Sequence, residues 1–222
     1  MKQDNSIMVL GDVHREFGAL NTLVNKKRPE IILQCGDFGF WPNITRHDER
    51  GAVIVPKNPV MNDAKLYWAD GNHEDHWSLR SLSSNEIWPH VYYMKRGSTL
   101  TLPDGRTVLF IGGARSTDKD MRKLGFDWFP EEEISEMDLA LLPDTKVDIV
   151  ISHTCPREFA VMGNDMRADD SSRMVLSYVL ARYQPSLWYF GHFHYYRTGV
   201  KRGCRWVGLS MTGCTGWWEW LR

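Results

Sequence analysis

The stretch that decides the fold is SIMVLGDVH, residues 6–14, in which a short apolar run ends at a loop carrying an acid and a histidine. An apolar, partly β-branched run closed by Gly11-Asp12 is the pattern of a buried strand followed by a turn. Four later runs repeat this plan and also end at polar residues, at 30–35, 66–69, 147–152 and 187–190. The sequence therefore predicts at least five buried strands, each delivering polar side chains at its end.

Helical patterns lie between several of these strands, with three helices predicted at residues 17–24, 130–142 and 173–183. In the second, Pro130 and three glutamates form a first turn, and Ile134, Met137, Leu141 and Leu142 would supply an apolar face. Residues 99–111 contain PDGR between two β-rich runs, which indicates a hairpin. The combination predicts a layered α/β architecture with mixed sheets. No linker or repeat divides the chain, so residues 1–222 are expected to form a single domain.

Composition excludes several classes of protein. The chain has 222 residues and a formal net charge of -1, from 27 Lys+Arg and 28 Asp+Glu, which argues against a nucleic-acid coat or a polybasic membrane binder. No apolar run approaches the ~20 residues of a membrane span, and the first residues lack the apolar core of a secretory signal. We therefore expect a cytoplasmic protein with no membrane partner.

The cysteines and tryptophans bear on disulfide bonding and on self-association. The four cysteines form no CxxC pair, so neither a zinc finger nor a disulfide framework is expected. Three of the 10 tryptophans lie together at Trp217, Trp218 and Trp220. They could cover apolar surface of the chain itself. They could instead form a stacking surface or the interface of a homo-oligomer.

The side chains that could bind a metal or catalyse a reaction lie at the ends of the predicted strands. In a layered α/β fold the carboxyl ends of neighbouring strands meet at one crevice, and these ends carry two acids, one amide and several imidazoles. Such oxygen and nitrogen ligands suit Mn, Fe, Zn, Ni or Co better than calcium. The predicted metal ligands are Asp12, His14, Asp37, Asn72, His153, His192 and His194.

The order and spacing of these residues resemble a known superfamily. The segments Gly11-Asp12-x-His14, Gly36-Asp37, Gly71-Asn72-His73-Glu74, His153 and Gly191-His192-x-His194 are similar to the motifs of the calcineurin-like metallophosphoesterases. The resemblance runs from Asp12 to His194 and is greatest to the small bacterial or bacteriophage members. It implies a four-layer α/β/β/α sandwich of two mixed sheets flanked by helices.

The same resemblance implies a dinuclear metal centre. Asp12, His14, Asp37 and His194 would hold one divalent ion, for which manganese is the first expectation. Asn72, His153, His192 and the shared Asp37 would hold the other. The implied reaction is hydrolysis of a phosphomonoester or phosphodiester by a metal-bridging hydroxide, with His73 as the general acid.

Two features bear on the substrate, which could be a nucleotide, a phosphoprotein or a nucleic acid. The glycine-rich loop after residue 111 carries Arg115 and Arg122, which could bind phosphate or could only pair with nearby acids. The loop after Asp37 carries aromatics where protein Ser/Thr phosphatases carry Asp and Arg, which argues against that branch. A nuclease in which Phe38, Phe40, Trp41 and Trp77 stack bases is the main alternative. A non-catalytic interaction scaffold of the same fold is the other.

Overall fold

The computed structural model describes residues 6–44, 46–47, 50, 53–54, 57–161 and 170–222. Its first six-stranded sheet has the order β14-β1-β2-β5-β7-β6. These strands are β1 (Ile7–Leu10), β2 (Ile31–Gln34), β5 (Lys65–Trp68), β6 (Glu86–Trp88), β7 (Val91–Tyr93) and β14 (Trp218–Trp220). The four central strands are parallel and the two edge strands antiparallel, so the sheet is mixed.

The second six-stranded sheet has the order β12-β13-β11-β10-β9-β8. Its strands are β8 (Thr99–Thr101), β9 (Thr107–Ile111), β10 (Ile149–Ser152), β11 (Leu187–Phe190), β12 (Arg197–Lys201) and β13 (Cys204–Gly208). Parallel pairing again occupies the centre and antiparallel pairing both edges. A short separate pair consists of β3 (Arg46–His47) and β4 (Val53–Ile54).

The period-2 alternation of side chains on each strand explains the layers. In β1, Ile7 and Val9 belong to a cluster shared with residues of the second sheet. Met8 and Leu10 point the other way and join the cluster that contains the apolar face of helix α1 (Phe17–Lys27). On the outer side of the second sheet lies helix α4 (Ser171–Tyr183), which buries Val175, Leu176, Val179 and Leu180. The result is the predicted helix–sheet–sheet–helix sandwich.

The predicted helix over 130–142 is wrong. Pro130–Glu132 forms a single 3-10 turn, Glu133 is extended, and a short helix α3 (Glu136–Leu139) begins after Ser135. Met137 and Leu141, expected on the apolar face, are 82% and 59% exposed. The physical reason is that the guanidinium of Arg96 binds the carbonyl oxygens of residues 131, 132 and 133, which a helix would need for its own hydrogen bonds.

The other predicted elements are confirmed, including the hairpin over 99–111 and the helices at 17–24 and 173–183. A further helix, α2 (His76–Arg80), is capped at its N-terminus by Asp75, whose carboxylate accepts a hydrogen bond from the backbone N–H of Ser78. Within the ranges given above, no helix is both long and apolar enough to cross a membrane.

Candidate metal centre

The seven predicted ligands lie in loops that follow the carboxyl ends of parallel strands from both sheets. Asp12 and His14 follow β1, Asp37 follows β2, and Asn72 follows β5. His153 follows β10, and His192 and His194 follow β11. The structure brings all seven together at one end of the sandwich, in two groups that share Asp37.

Four of these ligands have a left-handed backbone, which is uncommon for residues other than glycine. The φ angles are 48° at His14, 52° at Asp37, 67° at His192 and 57° at His194. Such conformations cost of order 1–3 kcal/mol each and persist where surrounding contacts impose them. Here the backbone N–H of His14 donates to the carbonyl of Asp37, and the N–H of His192 donates to the Asp12 carboxylate. The loops therefore hold one another in place.

The first group of ligands comprises Asp12, His14, Asp37 and His194. One ligand atom from each lies within 4.8 Å of all the others. Bonds of about 2.1 Å would put opposite ligands of one cation about 4.2 Å apart, so this group is close to the size of a single site. Nε2 of His14 and Nε2 of His194 lie 3.1 Å apart. Nε2 of His194 is 2.9 Å from Oδ2 of Asp12.

The second group comprises Asn72, His153 and His192. Oδ1 of Asn72 lies 3.0 Å from Nε2 of His153 and 3.0 Å from Nδ1 of His192. Asp37 belongs to both groups, because its Oδ2 is 3.7 Å from Nε2 of His14 and its Oδ1 is 3.3 Å from Nε2 of His153. The oxygen and nitrogen donors of both groups suit divalent transition metals, so the residues present fit the predicted pair of ions.

Electrostatics at the site favour a cation. Burial by itself would raise the pKa of Asp37, but His153, His73 and His14 outweigh it and hold the pKa well below its usual range. Burial opposes protonation of His153, yet the neighbouring Asp37 raises its pKa to about 9. Burial, together with His153, lowers the pKa of His192 to about 3. The buried carboxylate of Asp37 is therefore held in its charged form, which would attract a cation.

His73, the predicted general acid, lies beside this centre. Its backbone N–H donates to Oδ1 of Asp37 over 2.8 Å. Its ring nitrogen Nε2 is 2.9 Å from Nη2 of Arg122, which also pairs with Asp118 at 2.9 Å. Burial and the cationic Arg122, opposed by Asp37, lower the pKa of His73. The side chain within hydrogen-bonding distance of the His73 ring is therefore an arginine, where a carboxylate would be the ordinary partner of an acid-base histidine.

A cavity of about 490 Å³ opens onto both groups of ligands, His73 and three arginines. Arg115 and Arg122, predicted as phosphate-binding, both line it. Arg122 is ion-paired with Asp118, and Arg115 lies 4.0 Å from Glu133, so both arginines have acidic neighbours. Phosphate binding by either of them stays a prediction. The third arginine, Arg173, was not predicted. It lies in the first turn of α4, where nothing in the local pattern distinguishes it from an exposed helical arginine.

Glu74, the last residue of the motif that contains Asn72 and His73, has a structural role that the sequence alone did not assign. It is fully buried, and its carboxylate accepts hydrogen bonds from the backbone N–H groups of Phe38, Gly39 and Phe40. These three residues form the loop directly after Asp37. Glu74 therefore fixes that loop across 34 to 36 positions of sequence, a contact that only the tertiary structure reveals.

The sequence from residue 6 to residue 196 matches the calcineurin-like phosphoesterase family, and the chain belongs to that family. The family implies hydrolysis of phosphoesters with divalent metal ions.

Two solved structures share the fold. One aligns with a TM-score of 0.57 at 14% identity, covering 92% of this chain and 90% of its own. The crystal structure of TT1561 of Thermus thermophilus aligns with a TM-score of 0.55 at 14% identity, covering 92% of this chain and 88% of that one. No curated protein sequence gave a significant match.

Proposed function

We propose that this protein is a dinuclear metal-dependent phosphoesterase that hydrolyses a phosphomonoester or phosphodiester. The observation that carries the proposal is the placement of Asp37, whose two carboxylate oxygens face different groups of imidazoles, His14 on one side and His153 on the other. Two divalent cations held there would activate a water molecule and withdraw charge from a phosphoryl group. Manganese is the first candidate, because the donors are carboxylate, amide and imidazole without a thiolate.

The roles of the chain's own residues follow from the cavity. Arg115 and Arg122 would bind phosphate oxygens, since guanidinium groups match phosphate geometry. His73 would protonate the leaving oxygen, because it lies beside the centre and is partly open to the cavity. Nη2 of Arg122 contacts Nε2 of His73. A phosphate that binds Arg122 would release this nitrogen to carry the proton.

The test begins with metal-depleted protein and two aryl substrates, p-nitrophenyl phosphate and bis(p-nitrophenyl) phosphate. We expect turnover of at least one after addition of manganese, and none after chelation. His73→Asn should keep both metal ions and lose about 10²–10⁴-fold in kcat. The loss should be larger on phenyl phosphate, whose leaving group is more basic. The control His90→Asn changes an exposed histidine outside the site and should leave kcat unchanged.

The outcomes separate the alternatives. Wild-type kcat in His73→Asn would remove the general-acid role. Full binding of manganese without turnover of any phosphate ester would favour the scaffold. The nuclease alternative predicts cleavage that falls steeply with salt. Of its four predicted stacking residues, Phe38 and Phe40 are buried in the core, whereas Trp77 is 51% exposed. None of the four lines the cavity, so their placement does not favour a nuclease.

Location and assembly complete the proposal. We place the protein in the cytoplasm, a reducing compartment, and its four cysteines are all free. Self-association through the Trp-rich segment stays a prediction. The apolar cluster between the first sheet and helix α1 packs against three partly buried tryptophans, Trp217, Trp218 and Trp220. This packing supports the simpler role of covering the chain's own apolar surface.

A further inference from the structure

The side chain of Asn72 can serve a cation only in one of its two orientations. Its amide has an oxygen at one end and an NH₂ group at the other, and only the oxygen can bind a metal. Asn72 is 3% exposed, and its Oδ1 faces His153 and His192. Its Nδ2 donates to Oγ of Ser116 over 3.0 Å. A rotation of the amide by half a turn would present the NH₂ group to the cation.

Ser116 is committed to the role of acceptor toward Asn72. Its hydroxyl has a single proton, which it donates to Oε2 of Glu132 over 2.9 Å, while its backbone N–H donates to Oε1 of Glu132 over 2.7 Å. The hydroxyl oxygen therefore offers only lone pairs to the amide. Because a lone pair can accept from NH₂ but not from a carbonyl oxygen, the flipped amide would lose this hydrogen bond.

Glu132 is itself held rigidly. It is fully buried at the end of the Pro130–Glu132 turn, and its carbonyl oxygen accepts from the backbone of Ala114 and from Arg96. Burial raises the pKa of Glu132 to about 7, against the opposing hydrogen bonds from Ser116. Neither Glu132 nor Ser116 lines the cavity described above, so neither is placed to touch the substrate.

We propose that Ser116 and Glu132 are positioning residues that fix the oxygen of Asn72 toward the cation site formed with His153, His192 and Asp37, and thereby set the affinity of that site. The inference rests on the proposed dinuclear function. It assigns a role to a serine and a glutamate that lie 44 and 60 positions after Asn72 in the sequence. A buried serine with a purely structural role would affect stability and leave the affinity for metal unchanged.

The test is a double-mutant cycle read by binding of manganese, through calorimetric titration of metal-depleted protein at pH 8, above the raised pKa of Glu132. Ser116→Ala should weaken one of two manganese sites by about 10–100-fold, the range seen for residues that orient metal ligands. In the Asn72→Asp background the same substitution should change affinity by no more than about twofold. An aspartate presents an oxygen in either orientation and does not need to be held.

Glu132→Gln is the second variant, because it conserves shape. A glutamine can donate its own N–H to Oγ of Ser116, which frees the serine proton to point at Asn72. We therefore expect the same selective weakening as in Ser116→Ala, without a cavity. The matched control is Ser172→Ala, which removes a fully buried hydroxyl that accepts from the backbone of Ile134. It should leave both manganese affinities unchanged.

Two results would overturn the inference while leaving the proposed function intact: wild-type affinity at both sites in Ser116→Ala and Glu132→Gln, or an equal loss from Ser116→Ala in both backgrounds at position 72. Binding of a single manganese ion by the wild type would overturn the dinuclear function and the inference with it. Two sites in the wild type, with selective loss in both variants, would support both.

Discussion

At the scale of single residues, the glycines before the ligands matter through the atom they lack. An added Cβ at Gly191 would collide with Oδ1 of Asp12, and one at Gly71 would collide with Oδ1 of Asp37. These carboxylates approach the backbone so closely because they accept its N–H groups, from His192 and His73 respectively. The geometry of each acid therefore depends on a neighbour with no side chain.

Gly191→Ala should consequently damage the first metal group more than the fold. We expect a loss of about 1–3 kcal/mol in the free energy of unfolding, the usual cost of overpacking, and fewer manganese ions bound per chain. Urea unfolding and metal analysis measure the two effects. Gly18→Ala in α1 is the control, because a Cβ there meets only the side chain of Lys57, with Cδ at an ordinary 3.6 Å. Full metal content in Gly191→Ala would contradict the argument.

His76 gives a prediction of pH dependence. Burial, opposed by Asp70, lowers its pKa to about 4, whereas an unfolded histidine has a pKa of ~6.5. Between these pH values the histidine is protonated in the unfolded chain but neutral in the native state. The free energy of unfolding therefore falls as pH decreases from ~6.5 toward 4. The full effect is on the order of 3 kcal/mol, at 1.36 kcal/mol per pKa unit.

The measurement is the loss of unfolding free energy between pH 7.5 and pH 5. It should be about 2 kcal/mol smaller in His76→Gln than in the wild type, because glutamine can still donate to the carbonyl of Gly71, as Nε2 of His76 is placed to do, but does not titrate. Equal losses in the two proteins would show that His76 is not responsible.

Sequence reasoning at this scale predicted the side chains that the structure brings together at the candidate metal centre, but it did not predict the residues that position them. Asp12, His14 and His194 could be predicted because acids and imidazoles recur at strand ends in a recognisable order. Ser116 and Glu132 could not, because they act through contacts between distant segments and carry no periodic or motif signal. Glu74 lies in a recognised motif, but its contacts with the loop after Asp37 depend on the folded chain. The contact between Arg122 and His73 could not be predicted either, because only the folded loop brings Arg122 to that ring.

At the scale of elements, one buried arginine determines why the segment after Pro130 is not a continuous helix. Arg96 donates to the carboxylate of Asp70 at 2.7 Å, to that of Asp138 at 3.1 Å and to three consecutive backbone carbonyls. The apolar and capping pattern of residues 130–142 is locally compatible with a helix. The tertiary contacts of Arg96 override it, which no local pattern could indicate.

Arg96→Met should be strongly destabilising, by about 3–5 kcal/mol, because it leaves the buried Asp70 without its charged partner. The matched double variant Arg96→Met with Asp70→Asn removes the uncompensated charge and should recover part of the loss. Urea unfolding of both variants at pH 7.5 measures the difference. If the double variant is no more stable than the single one, the hydrogen bonds to residues 131–133 carry the effect, and not the ion pair.

At the scale of the whole molecule, strands from the first and the last described segments pair in one sheet. Strand β14 pairs antiparallel with β1 at the edge of the first sheet, with Met8 opposite Trp220. The cluster between the sheets takes side chains from both, including Val9 and Val207. Elements from the two ends of the sequence therefore share one interior, which supports the prediction of a single domain over residues 1–222.

Because the two sheets share one interior, we expect the metal-depleted protein to unfold in one cooperative transition. Tryptophan fluorescence and far-UV circular dichroism should then report the same urea midpoint. Trp218→Ala and Trp220→Ala should lower that midpoint for both signals together, because β14 pairs with β1. Two separated midpoints, one for each sheet, would contradict the single-domain prediction.

The position of β14 also bears on how the protein is made. Gly11 donates its N–H to the carbonyl of Trp217, and the carbonyl of Asp12 accepts from Thr212, a contact across 200 positions of sequence. On the ribosome, the loop that carries Asp12 and His14 emerges before these two partners and lacks both contacts until translation has passed Trp217. We therefore expect the proposed metal centre to reach its native geometry, and to bind a divalent ion there, only after β14 has been synthesised.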